Sequence, residues 1–197
     1  MATRHPRAAK SLVWFAAFVC TILAVTVIIA GVVVLSVYFA YRPKIPFLRV
    51  GDAHLDRLGY DQSGLLDLAM SLTVEAVNDN GRAHATFSGV ELQLRFGRTP
   101  LAALLAEDFD VPKNSTQRLR YAVESSAAPL DEAGRERMDE SLKSGRVEFA
   151  LAGKARTRWR VALISVKFWT HLDCTLPFLY PAGDSADDLL HCTSKSH

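Results

Sequence analysis

The sequence predicts a mainly β protein: one N-terminal transmembrane helix, then an antiparallel β-sandwich carrying a short helical insertion. Three observations predict it. Residues 12–41 carry no charged side chain. Several later segments alternate apolar and polar residues with a period of two, as half-buried strands do. Between two of them lies one charged stretch without that alternation, which ends at Gly145.

The apolar run comes first. Thirty residues of helix cover roughly 45 Å, more than a bilayer core requires. Arg4, Arg7 and Lys10 precede the run as a signal-peptide n-region would. Cleavage is not expected, because a signal h-region takes only about 7 to 15 apolar residues and ends in small side chains. This run ends in Val37, Tyr38, Phe39 and Tyr41. An uncleaved signal anchor fits: Trp14 and Phe15 at one end and Tyr38, Phe39 and Tyr41 at the other suit aromatic belts, with Arg42 and Lys44 as the outer stop. The divisions are a basic tail over 1–11, a span over 12–41 in contact with the lipid bilayer, and one domain over 42–197.

Strands follow. A first is expected over 46–58. Leu66, Leu68, Met70, Leu72, Val74 and Ala76 alternate with polar or small residues, as do Val90, Leu92, Leu94 and Phe96, and then Val147, Phe149 and Leu151. Each pattern buries one face of an antiparallel strand. Another strand is read from Arg118 to Ser125. In the last long run, Trp159, Val161 and Leu163 share one phase and Ile164, Val166, Phe168 and Thr170 the other, so a bulge or change of sheet is expected near Leu163. Residues 129–144 read as a surface helix with i,i+4 pairs Asp131–Arg135 and Asp139–Lys143. Asn78-Asp79-Asn80-Gly81 is turn chemistry, its Asn-Gly pair suited to positive φ.

Positive charge flanks both ends of the span, so the charge rule does not orient it. Two features of the domain point outside the cytosol. Asn114-Ser115-Thr116 is an N-glycosylation acceptor in a polar stretch, a match that chance also produces. With Cys20 inside the span, Cys174 and Cys192 remain as an even pair; they read as a disulfide of an oxidising compartment, or else as two unrelated thiols. Removing Arg4, Arg7 and Lys10 leaves 20 Lys and Arg against 21 Asp and Glu, which gives no nucleic-acid footprint by composition.

No catalytic residue, cofactor or metal site is expected. The six histidines form no His-Glu-x-x-His pair, and neither a Gly-x-Ser-x-Gly elbow nor a glycine-rich loop before a helix is present. His171, Asp173, Cys174, Asp187, Asp188, His191 and Cys192 are residue types that bind zinc, but their spacing is irregular and the disulfide is the simpler reading. Ala16, Cys20 and Ala24 recur every fourth residue, a small-residue stripe suited to helix association in a homo-oligomer. Trp159, Phe168 and Trp169 are expected mainly in the core, the alternative being a recognition patch.

Read together, the basic tail, the span, Tyr41-Arg42-Pro43-Lys44-x-Pro46, Asn78-Asp79-Asn80, the stretch from Phe109 to Thr116 (FDVPKNST), and the aromatic and basic run through Trp159 and Phe168-Trp169 to Cys174 resemble a plant family. It is the harpin-induced and non-race-specific-disease-resistance-like family, with a group-two late embryogenesis abundant domain. Asp79 stands where that family has Pro. The resemblance implies a seven-stranded, fibronectin-III-like sandwich outside the plasma membrane, with the N-terminus in the cytosol (type II). It also implies a role in defence or abiotic stress through an unidentified protein partner or cell-wall component. The other expectation is a structural protectant of membrane or cell wall during dehydration, without a specific partner.

Overall fold

A computed structural model describes residues 6–40, 44–61, 63–81, 83–161, 164–185 and 191–196. Two units make up the chain, residues 1–43 and 44–197. The first is one helix, α1 (Pro6–Ala40), of which Val13–Ser36 is long and apolar enough to cross a membrane. Two of its hydroxyls bond within the helix: Thr21 Oγ1 donates to the Ala17 carbonyl at 2.8 Å and Thr26 Oγ1 to that of Ile22 at 2.7 Å. Such internal bonding is what a polar group in hydrocarbon requires. Tyr41, Arg42 and Pro43 lie outside the described residues.

The second unit is a sandwich of two antiparallel sheets. Its strands are β1 (Phe47–Tyr60), β2 (Leu65–Asn78), β3 (His84–Phe96), β4 (Thr99–Ala106), β5 (Phe109–Val111), β6 (Ser115–Pro129), β7 (Arg146–Val161), β8 (Ile164–Leu179) and β9 (His191–Ser196), with helix α2 (Glu132–Ser144) between β6 and β7. One sheet runs β1-β2-β6; the other runs β4-β3-β7-β8-β9, with β5 pairing to β3. Nine strands among the described residues exceed the seven that the family resemblance implies, and β5 and β9 are short, at three and six residues. The core joins the inward rows of both sheets, with Leu66, Leu68, Met70, Leu72 and Val74 of β2 against Phe87, Leu92, Leu94 and Phe96 of β3 and Phe149 and Phe178 of β7 and β8. Phe149 packs against Phe96 and Phe178, with ring centroids 5.6 and 5.9 Å away.

Bulges account for where the alternation is hard to read. In β1 the buried positions shift from Leu48 and Val50 to Ala53 and Leu55 across a register slip at Gly51. In β3 they shift from Ala85 and Phe87 to Val90, Leu92 and Leu94, and Gly89 within that slip has φ 56°. An added residue of this kind turns the strand over. Across from the β3 bulge, a Cβ on Gly153 would stand 2.2 Å from the Glu91 carbonyl, so only glycine fits there.

Three expectations are corrected. The phase change around Leu163 is neither a bulge nor a change of sheet: β7 and β8 are antiparallel neighbours, with Trp159 opposite Val166 and Val161 opposite Ile164, so the two phases belong to two paired strands. Leu163 itself lies outside the described residues. The stretch after Asn78 joins strands of different sheets, and Gly81 does not take up a left-handed φ. Asp131 serves α2 as its N-cap, accepting from the Gly134 N–H at 2.8 Å, in place of the pairing expected with Arg135; Gly145, with φ 71°, closes the other end.

Candidate functional site

The residues singled out from sequence do not converge. Cys174 and Cys192 face each other in register on β8 and β9 and are joined as a disulfide, with Cα atoms 4.1 Å apart. That bond uses the two sulfurs a zinc site would need. Among the described residues no three His, Cys, Asp or Glu side chains are grouped to hold a metal. Asp187 and Asp188 lie outside the described residues. Asn114 is exposed at the turn between β5 and β6, at φ 48°, its N–H bound to the Asn80 carbonyl at 2.9 Å. The acceptor Asn is thus on the surface, in a turn tied to Asn80.

One cluster combines histidine, carboxylate and hydroxyl. His54 lies 4.0 Å from Asp56 and 3.6 Å from Asp184, and Ser71 Oγ donates to Asp56 at 2.8 Å. In a hydrolytic triad the imidazole stands between hydroxyl and acid. In this cluster the acid stands between them, so the imidazole does not face the serine, and His54, Asp56 and Asp184 are nearly half exposed or more.

Buried polar chemistry is concentrated at the connection between the sheets. Asn78 is fully buried, and its Nδ2 donates to the carbonyls of Ala83, Val111 and Pro112 at 2.9 to 3.1 Å, while its Oδ1 accepts from the Asn80 N–H at 3.2 Å. Asn80 is bonded in both directions with the Lys44 backbone, accepting from its N–H at 3.0 Å and donating to its carbonyl. One side chain therefore ties the β2 end to the turn before β3 and to the β5–β6 connection. The motif is a structural staple, and its Asp79 is exposed.

On the outward face of the small sheet, Glu75 of β2 stands between Arg49 of β1 and Arg118 of β6, which are its register neighbours. Arg49 reaches it at 2.8 Å and Arg118 at 3.0 Å. Bonds from these two guanidinium groups hold its carboxyl below the usual range, against a smaller opposing effect of burial. Gly51 leaves room for the acid, since a Cβ there would meet Glu75 Cδ at 2.7 Å.

The outward face of the large sheet holds a row of cations. Lys154, Arg156, Arg158 and Arg160 occupy alternate positions of β7 and are all exposed. Opposite them on β8 lie His171, Trp169, Lys167 and Ser165. Trp169 is 37% exposed, with the Arg156 guanidinium 4.9 Å and the Lys154 ammonium 5.5 Å from its ring centroid. The expectation of a core role for most of the three aromatics is therefore corrected: Trp169 points outward on its strand, and Trp159 and Phe168 are half-buried. Sequence reading balanced the charges over the whole domain and so missed this face. The signal was legible in Lys154-Ala155-Arg156-Thr157-Arg158-Trp159-Arg160, whose cations recur with the strand period.

No protein-family model matches the chain, and no curated protein matches it. Among solved structures, a crystal structure of a protein from Archaeoglobus fulgidus is similar at 10% identity and a TM-score of 0.34, covering 66% of this chain and 96% of that one.

Proposed function

We propose that this chain is a single-pass, type II protein of the plasma membrane, its N-terminus cytosolic, which presents a non-catalytic β-sandwich outside the cell and acts by binding a partner. The observation that carries the reading is the combination of an apolar helix over Val13–Ser36 with a domain closed by the Cys174–Cys192 disulfide. Such a bond persists where the compartment is oxidising. The exposed Asn114 is compatible with glycan addition in the same compartment. A role in plant defence or abiotic-stress response rests on the ordered motifs from the basic tail through Asn78 to Cys174. Binding in place of catalysis is supported by the scattered histidines and by an open, charged sheet face.

The test is topological. The full chain is expressed in a cell with a secretory pathway, and its mobility is compared before and after glycosidase treatment with an Asn114→Gln control. External protease is added to intact cells in parallel. A glycan on Asn114, or digestion of the domain from outside, supports the reading. A domain that carries no glycan and is protected until the cells are opened overturns it.

A further inference from the structure

The outward face of the large sheet carries a row of four exposed cations on β7, with the acid Glu91 of β3 opposite Lys154 at one end, and we propose that it binds a linear acidic polysaccharide, a polymer of uronate sugars lying along β7. The inference deepens the reading of an exterior binding module and rests on it. Lys154, Arg156, Arg158 and Arg160 repeat every second residue, about 6.6 Å apart along the strand. Their pairing with β8 runs from Arg146 to Val161 without a register slip, so the row is regular. Like charges directly opposite each other destabilise a sheet, yet Arg158 faces Lys167. Polymer carboxylates laid over the row would relieve that repulsion.

The chemistry of the row suits carboxylates. Guanidinium groups bind them through two parallel N–H donors, and three of the four cations on β7 are arginines. Trp169 holds Arg156 and Lys154 against its ring, which limits the conformations they lose on binding, and leaves an exposed aromatic surface beside the row. The face is open, so a single anion would be screened by salt; a repeating ligand gains by engaging several cations at once. Anionic lipids are concentrated in the cytoplasmic leaflet, away from an exterior domain.

Full-length protein in phosphatidylcholine nanodiscs is titrated with sodium polygalacturonate. Binding is expected, weakening about tenfold or more between roughly 50 and 200 mM salt. Arg156→Glu with Arg158→Glu is expected to weaken it by about tenfold or more, Trp169→Ala severalfold, and Lys113→Glu, on the β5–β6 turn, not at all. If the double reversal does not fold, Arg156→Gln with Arg158→Gln supplies the same comparison. The proposal is overturned by no binding, by equal binding of neutral dextran, or by undiminished binding in the double variant. Preference for phosphatidylserine nanodiscs, or for a DNA oligomer, over polygalacturonate overturns it as well. Failure of the titration with an exterior domain sinks only this inference, whereas a cytosolic domain in the topology experiment sinks the underlying reading too, since the polymer would have no access.

Discussion

Glu75 and Asn78 sit three residues apart on β2 and do opposite kinds of work. The Glu75 carboxyl is held below its unfolded value by Arg49 and Arg118, so its contribution to stability is complete above the unfolded pKa and is lost as pH falls through the lower folded one. Glu75→Gln is therefore expected to flatten the acid limb of a melting-midpoint curve taken from neutral pH down through the carboxylate range. Its cost at neutral pH is about 0.5–1 kcal/mol, because both arginine side chains are more than half exposed and solvent screens them. Asn78→Ala removes the partner of three carbonyls at a fully buried point and is expected to cost about 2–4 kcal/mol, read as a drop in denaturant midpoint. An unchanged midpoint would remove the staple from the account. Neither role was legible beforehand. Glu75 reads as an ordinary polar position of an alternating strand, and Asn78 as a turn residue, because the groups they bind are brought to them by β1, β5 and β6.

Elements were the most legible level. Inward rows on β2 and β7 and the stop at Gly145 follow from period and cap chemistry, which are local, whereas Asp131 reads as an ion-pair partner of Arg135 and serves as the N-cap. What escaped were the slips at Gly51 and Gly89 and the reversal between Val161 and Ile164, since one added or turned residue inverts the pattern without changing composition. Gly153 shows how tightly one such place is built. Gly153→Ala is expected to destabilise by about 1–3 kcal/mol through overpacking against Glu91 and Leu92, measured by chemical unfolding; wild-type stability would contradict the close approach. Replacing Cys174 and Cys192 together with Ser opens an 18-residue separation and is expected to cost about 3 kcal/mol, seen as a melting midpoint that reductant no longer shifts.

For the whole molecule, the apolar helix and the domain make separable demands. The chain is expected to remain with membranes through alkaline carbonate extraction and to need detergent for release; recovery in the aqueous supernatant would contradict the span. The helix was evident because thirty uncharged residues need no partner to be recognised. Which strands neighbour one another was not, because β2 pairs with β6 and β3 with β7, across more than thirty residues of chain. The cation row of the large sheet belongs to the same level: in a domain nearly neutral in sum, Lys154, Arg156, Arg158 and Arg160 meet Lys167 on one face because β7 and β8 are laid side by side.

The backbone N–H of Leu48 meets the hydroxyl of Ser194, 146 positions later, at 3.3 Å. A seam between β1 and β9 sets an order on biosynthesis. The hairpin of β1 and β2 can form as it emerges from the ribosome, but its outer edge waits, open to the wrong neighbour, until the chain has been made as far as Ser194.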